Sequence, residues 1–472
     1  MKTPYLLSVF MILALPLPGW TAEDPGQKQR QEELDRLKVQ IQVLETQNRQ
    51  MQQTLELLKT KLGEMSGTPV PPTIAPPAPV AAPAPAPLIP KAFQIGKSTT
   101  VSLYGFLRVD GIVDRSQMDR THVPMYVRSE DPGAPAAVRA RNNEPAFSMD
   151  PRLTRIGFDF DGGTPQPLGY AKLTGKLETD FDTVNSGPSS ESRQLPRIRL
   201  AYLRMAWPED LTVTLGQQWD VISPLLPGVQ AHSVLWNVGN LGDRRPQATV
   251  SYDPVLGPGR LSMTGSLGLA GAVDNADLDA NSTLDGAQSG MPMLQGRLGY
   301  ARPLWVEKKD ASLGIWGHNA QYSSATAIGL AGQNRFHGES YGMDLTLPMT
   351  QKLSFKGEAW QGRNLPDVRG GITQGVNGFG KVIASEGGWS ELTYKFSDRY
   401  ALLVGYAIDN PSDGDILDQA GGRTKNRVWY LGHKWTFGAM EFGVEYLNWV
   451  TDYKGLQSGE NDRFNFYSQF NF

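Results

Sequence analysis

From residue 93 onward, apolar and polar residues alternate in short runs. In "VSLYGFLRVDGIVD" (101–114), Val101, Leu103, Leu107, Val109 and Val113 share one face, and Ser102, Tyr104, Arg108, Asp110 and Asp114 share the other. "AKLTGKLETDF" (171–181) sets Leu173, Leu177 and Phe181 against Lys172, Lys176, Glu178 and Asp180. "MEFGVEYLNWV" (440–450) sets Met440, Phe442, Val444 and Tyr446 against Glu441 and Glu445. A period of two with a charged face predicts strands that are apolar outside and wet inside.

The pattern predicts sixteen strands, near 99–114, 152–161, 169–181, 195–207, 211–218, 246–253, 260–270, 292–301, 311–322, 338–348, 352–362, 386–396, 399–409, 426–437, 440–451 and 463–472. Short turns such as 207–210, 348–351, 397–399 and 438–439 alternate with long loops at 115–151, 182–194, 219–245, 271–291, 323–337, 363–385, 410–425 and 452–462. Such alternation is the layout of an outer-membrane barrel, and a soluble multi-sandwich protein has no reason to keep it. The expected fold is therefore all-β: a 16-stranded antiparallel transmembrane β-barrel over 93–472. The closing segment "RFNFYSQFNF" (463–472) would turn Phe464, Phe466, Phe470 and Phe472 to lipid and Asn465, Tyr467, Gln469 and Asn471 to the pore. It must pair with the first strand, since no backbone group in lipid stays unpaired. Trp207, Tyr300, Trp305, Tyr400, Trp435 and Trp449 suit interfacial girdles.

The N-terminal segments have other patterns. Residues 1–22 carry Lys2, an apolar core from Leu6 to Leu15 and small residues, the layout of a signal peptide. Residues 23–66 contain a heptad with Leu34, Ile41, Asn48, Leu55 and Leu62 at one seam and Leu37, Leu44, Met51, Leu58 and Met65 at the other. So narrow a seam predicts an α-helical coiled coil whose strand number is not fixed by the pattern. Residues 67–92 form a Pro/Ala-rich linker with ten prolines between 67 and 90, a polyproline II spacer reaching roughly 70 Å.

Composition removes several classes. A formal charge of −3 argues against a nucleic-acid partner, and the absence of cysteine rules out thiolate zinc sites and disulfides. No cofactor is expected, and no enzymatic activity: a Ser–His hydrolase around "WGHNAQYSS" (316–324) lacks a nucleophile elbow. Asp274, Asp277, Asp279 and Asp285 in "DNADLDANSTLD" miss the spacing and the glycine of an EF-hand loop, and read as a solvated tip with no metal.

Charge on the inner face would set what passes. Alternation directs Arg108, Arg155, Lys172, Lys176, Arg197 and Arg199 to the lumen, with Asp110, Asp159, Glu178 and Asp180 nearby and Arg244 and Arg245 closing loop 219–245. Clustered arginine favours carboxylate recognition over a screened charge lattice. Loop 219–245, bounded by Asp220 and Asp243, is too apolar for an exposed loop and is expected to fold inward as a constriction, the alternative being burial at a subunit contact.

"YGFLRVD" (104–110), "RLTRIGFDF" (152–160), "KLETDF" (176–181), "RIRLAYLR" (197–204), "GQQW" (216–219) and "RRPQ" (244–247) together resemble the DcaP-like family of trimeric outer-membrane porins, most closely over 99–253. The resemblance implies a 16-stranded homotrimer in outer-membrane lipid that passes small anionic solutes, dicarboxylates among them. A terminal Phe472 resembles the signal read by the barrel-assembly machinery. The coiled coil would stand in the periplasm, with peptidoglycan as a candidate contact. The alternatives are a phosphate-type anion porin, which would need a longer ladder of cations, and a tether between outer membrane and cell wall.

Overall fold

The computed structural model describes residues 92–96, 98–141, 144–182, 194–230, 233–330 and 332–472. The predicted signal peptide, the coiled coil and all but the last residue of the linker lie outside them.

Sixteen antiparallel strands, each bonded to its neighbours in sequence, form one closed barrel. They are β1 (Thr99–Asp114), β2 (two pieces, Ala146–Asp150 and Arg155–Asp161), β3 (Lys172–Asp180), β4 (Arg197–Ala206), β5 (Leu211–Trp219), β6 (Arg244–Tyr252), β7 (Gly259–Gly268), β8 (Met293–Pro303), β9 (Asp310–Ile328), β10 (Gln333–Pro348), β11 (Leu353–Arg363), β12 (Ala384–Ser397), β13 (Tyr400–Pro411), β14 (Arg423–Phe437), β15 (Met440–Tyr453) and β16 (Leu456–Asn471). A short strand, Ala92–Ile95, pairs with the start of β1, and Val255–Leu256 pairs with the start of β7. No described helix is long and apolar enough to cross a membrane.

Closure is made by β16 on β1, with Phe470 opposite Leu107 and Phe466 opposite Gly111. Phe472 and Gly105 exchange backbone hydrogen bonds of 3.1 and 3.3 Å. Gly111 is needed here, because a Cβ would stand 2.1 Å from the Phe466 ring. Phe464, Phe466 and Phe470 are exposed on the outer wall while Asn465 and Tyr467 are buried on the inner one, as alternation requires.

Every predicted strand is present, and the differences are instructive. The loops expected at 323–337 and 452–462 are largely strand: β9 runs to Ile328, β10 starts at Gln333, and β16 starts at Leu456. These extensions carry no apolar–polar alternation, because a hairpin that stands clear of lipid has no face to keep oily. Residues 146–150, expected in a loop, pair with the upper half of β1. Trp449 does not join a girdle. It points inward at 0 % exposure and donates Nε1–H to Asn426 Oδ1 at 2.7 Å.

The interior is not empty. Loop segments 115–145, 220–243 and 364–383 turn inward and supply much of the apolar core. Met118, Val127, Val229, Leu235 and Val238 pack with Trp389, Tyr430, Leu447 and Trp449 on the inner wall.

Candidate functional site: a constriction faced with cations

Segment 220–243 enters the lumen because its apolar residues find a dry surface there. Ile222, Val229, Leu235, Val238 and Leu241 are all at 0–1 % exposure. Its backbone donors are taken by carboxylates on the opposite wall. Leu225 N–H donates to Glu358 on β11 at 2.8 Å, Gly228 N–H to Glu391 on β12 at 2.6 Å, and Gln230 N–H to Glu445 on β15 at 2.7 Å. Ser223 Oγ also bonds Glu358, and Trp360 Nε1 donates to Gly239 O at 2.7 Å. Ser223, Val234, Leu235 and Asn237 sit at φ between +44° and +63°. Val234 is β-branched and costly in this region, so packing and the carboxylate bonds together hold the loop's path.

The loop ends are tied by buried charge. Arg245 places Nε 2.6 Å from Asp220 Oδ1 and Nη1 2.9 Å from Asp367 Oδ2, and donates a further bond to the Asp367 carbonyl. Asp367 also accepts from Gly271 N, Val273 N and Tyr322 Oη. Arg245 and Asp220, expected in the pore, are therefore a sealed strut: their side chains are 0 % and 1 % exposed. Asp243 binds Arg244 Nε at 3.1 Å and Arg369 Nη2 at 2.6 Å. Burial would raise the Asp243 carboxyl, but the Arg369 and Arg244 guanidiniums overcome it and hold the group well below the usual carboxylate range.

Segment 220–243 covers the inner faces of β11–β15 and leaves β2–β4 open. There Arg155, Lys176 and Arg197 keep 26, 24 and 26 % of their side chains exposed. The carboxylate partners of Arg155 and Arg197 lie deeper, whereas Asp159, the partner of Lys176, is 50 % exposed. Arg197 forks onto Asp180 at 2.9 and 2.8 Å, and Arg199 spans Glu178 and Asp180 at 2.7 and 2.8 Å. Asp180 and Asp182 are 0 % and 3 % exposed. Burial pushes the Asp182 carboxyl up. Alternation puts both arginines on the inner face, and a bulge follows at once: Thr179 faces Ile198 but Glu178 faces Leu200, so Arg199 is the extra residue. Inward positions thus shift from Arg197 and Arg199 to Tyr202 and Arg204 further along β4.

The remaining expected residues are dispersed. Arg108 forks onto Asp110 at 2.8 and 2.6 Å and lies 3.8 Å over the Tyr467 ring; it is a buried wall pair, away from open lumen. Lys176 pairs with Asp159 at 2.7 Å, and Lys172 with Asp161 at 3.4 Å near the strand ends. Arg244 lies over Trp219 and Trp236 at 4.8 and 5.8 Å. Arg155 Nε and Arg244 Nη1 are buried donors with no acceptor among the described residues.

Sequence reasoning missed Arg369, which lies 4.6 Å over Trp236 and belongs to a loop with no period to flag it. Glu358 and Glu391 were also missed, although both stand at inward positions of alternating strands. His318 meets Ser340 at 2.6 Å, but Ser340 is 3 % exposed and closed to a substrate. Asp277, Asp279 and Asp285 bring carboxylate oxygens within 4.8 Å of one another, with Asp285 buried.

The closed sixteen-stranded wall with an inward-folded third long loop is the architecture of an outer-membrane channel barrel. No family model matches the chain, and no curated protein matches it. Among solved structures, the chain is similar to the outer membrane channel DcaP of Acinetobacter baumannii, with a TM-score of 0.62, 18 % identity, and coverage of 80 % of this chain and 99 % of that one. It also matches an anion-selective porin from Comamonas acidovorans (TM-score 0.49, 10 % identity, 79 % and 100 % covered) and Salmonella typhi OmpF (0.49, 13 %, 79 % and 98 %). The DcaP likeness agrees with the resemblance read from the sequence and shows a shared fold.

Proposed function

We propose that this protein is a passive diffusion channel of the bacterial outer membrane that prefers small anions, carboxylates above all. The observation that carries the proposal is the depth ordering on β2–β4. Arg155 and Arg197 keep about a quarter of their side chains exposed, while Glu178, Asp180 and Asp182 sit behind them; Lys176 and its exposed partner Asp159 offset one another at the margin. A solute passing the constriction meets the guanidinium layer first, and the charge closest to it governs the field it feels. The fork geometry of Arg197 on Asp180 is also the one by which a guanidinium binds a solute carboxylate. No bond is broken; flux follows the gradient.

A homotrimer embedded in lipid accompanies this reading, supported by the resemblance to trimeric porins. The coiled coil at 23–66 then strengthens the trimer in the periplasm and contacts peptidoglycan, and Phe472 is read by the barrel-assembly machinery. Reversal potentials across planar bilayers under a KCl gradient test the proposal. A potential of anion-selective sign is expected. A cation-selective sign would overturn the anion reading, and absence of conductance would favour a tether. A phosphate-type porin would instead show phosphate blocking chloride current more strongly than carboxylates do.

A further inference from the structure

Away from the constriction, the outer loops enclose a cavity of about 530 Å³. Its walls come from five segments and include Leu278, Tyr322, Phe336, Ile383, Ile416 and Leu417. Two carboxylates, Asp274 and Asp285, line the same space. Asp285 is 0 % exposed and accepts only from Leu278 N–H, at 3.1 and 3.4 Å. Asp274 is half-buried and accepts from Ala276 N–H at 3.2 Å. Neither has a basic side chain within 4.0 Å among the described residues. The one cation lining the cavity, Arg423, is committed elsewhere: Nε donates to Ile372 O at 2.9 Å, Nη2 to Thr373 Oγ1 at 3.1 Å, and its plane lies 4.4 Å over Tyr126.

An oily chamber with two carboxylates and no cation in direct contact with either is costly to keep in a protein, and the cost is offset when a ligand brings a charge to them. From this geometry we infer that the cavity binds a small organic monocation, an ammonium group on an apolar or aromatic body. The ammonium lies between Asp274 and Asp285, where its donors meet two acceptor-only groups. The body packs on Tyr322, Phe336 and Leu417. A bare divalent ion fits less well, because it needs about six oxygens and these walls are largely carbon. The inference stands apart from the anion reading, since the cavity belongs to the outer loops and its test reads binding and not ion flux.

The titration of the pair supplies a second readout. Burial, then the neighbouring Asp367, pushes the Asp274 carboxyl up to about 7. Burial, with Asp279 and Asp277 close by, pushes Asp285 up to about 6. Arg245 acts on Asp274 in the opposite direction. Acid neutralises both groups, so cation affinity is full near pH 8 and lost by about pH 5.

Benzylammonium chloride titrated calorimetrically into the full-length protein in detergent is the direct experiment, with benzyl alcohol and benzoate as matched probes. Saturable binding of benzylammonium alone is expected, weakened at least tenfold by Asp274→Asn and by Asp285→Asn and weakened by acid. Asparagine keeps the acceptor for the loop N–H groups, and heat-modifiable migration on gels reports folding. Ala137→Trp fills the cavity from an exposed loop position and touches neither carboxylate; it too should abolish binding. Absence of saturable binding, or binding unchanged in the Asp274→Asn/Asp285→Asn double variant, overturns the inference. Displacement of benzylammonium by Ca²⁺ with the same Asp dependence would overturn it in favour of a metal site at Asp277, Asp279 and Asp285.

Discussion

Arg245 and Asp220 meet in a two-pronged pair, Nε to Oδ1 at 2.6 Å and Nη2 to Oδ2 at 3.0 Å, with neither side chain open to solvent. They join the first residue after β5 to the second residue of β6, and so close the base of the loop that crosses the lumen. Asp367 extends the pair to a second inward loop. Arg245→Met should remove about 3–5 kcal/mol, because it strands two buried carboxylates. The expected readout is a lowered midpoint in urea or heat unfolding together with raised single-channel conductance. A variant with unaltered midpoint and conductance would show that the loop is held elsewhere.

The three wall glutamates should matter to noise more than to size. Each receives a charge-assisted bond worth about 1.5–3 kcal/mol. Glu391→Ala frees Gly228 and also removes the partner of Tyr430 Oη at 3.1 Å. Open-channel current in this variant is expected to flicker, with Glu307→Ala on an exposed turn as the quiet control.

Selectivity should follow the layer nearest the solute. Arg197→Ala with Arg199→Ala removes two cations and uncovers Asp180 and Glu178. The anion-to-cation permeability ratio should fall at least threefold, and Arg369→Ala should lower it less. Reversal potentials decide; an unchanged ratio in the double variant excludes β4 as the selective wall.

Acid should sharpen anion preference before it loosens the loop. The Asp243 carboxyl is depressed, so its stabilising contribution is complete above its unfolded value near 4 and is lost only as pH falls through the lower folded value. Asp182 is raised and takes up its proton earlier. As pH falls towards the ordinary carboxylate value near 4 the lumen therefore gains positive charge while the Asp243–Arg369 tie persists. The permeability ratio for anions should rise over that interval without a change in conductance noise.

Deleting Phe472 should lower the yield of folded barrel severalfold. Its backbone exchanges bonds with Gly105, and its ring covers that glycine. Heat-modifiable migration of the refolded chain, in lipid alone and with assembly factors, separates the lost closure bonds from a lost recognition signal.

The barrel was legible in the sequence because lipid enforces alternation one residue at a time, as at Leu107, Arg108, Val109 and Asp110. Legibility failed where lipid does not act. The extramembrane ends of β9, β10 and β16 carry no such period, and Trp449 was misplaced because ring type alone does not say which wall a strand end presents. The spacing of Arg197 and Arg199 announces their shared face, but not the bulge that moves the inward positions beyond them to Tyr202 and Arg204. Arg245 reads as a pore charge and Asp220 as a residue of the constriction loop because a charge pattern gives sign without depth. Arg369 and Glu358 enter the site through contacts far apart in the chain, Asp243 to Arg369 and Ser223 to Glu358, which no local window contains.

The seam between Gly105 and Phe472 also joins the first strand to the last. The strand that seals the cylinder is the sixteenth in chain order, so a barrel lacking it is a trough with two unsatisfied rims. Loss of the C-terminal segment to a protease leaves that trough and not a narrower pipe. Watertightness is thus all-or-none.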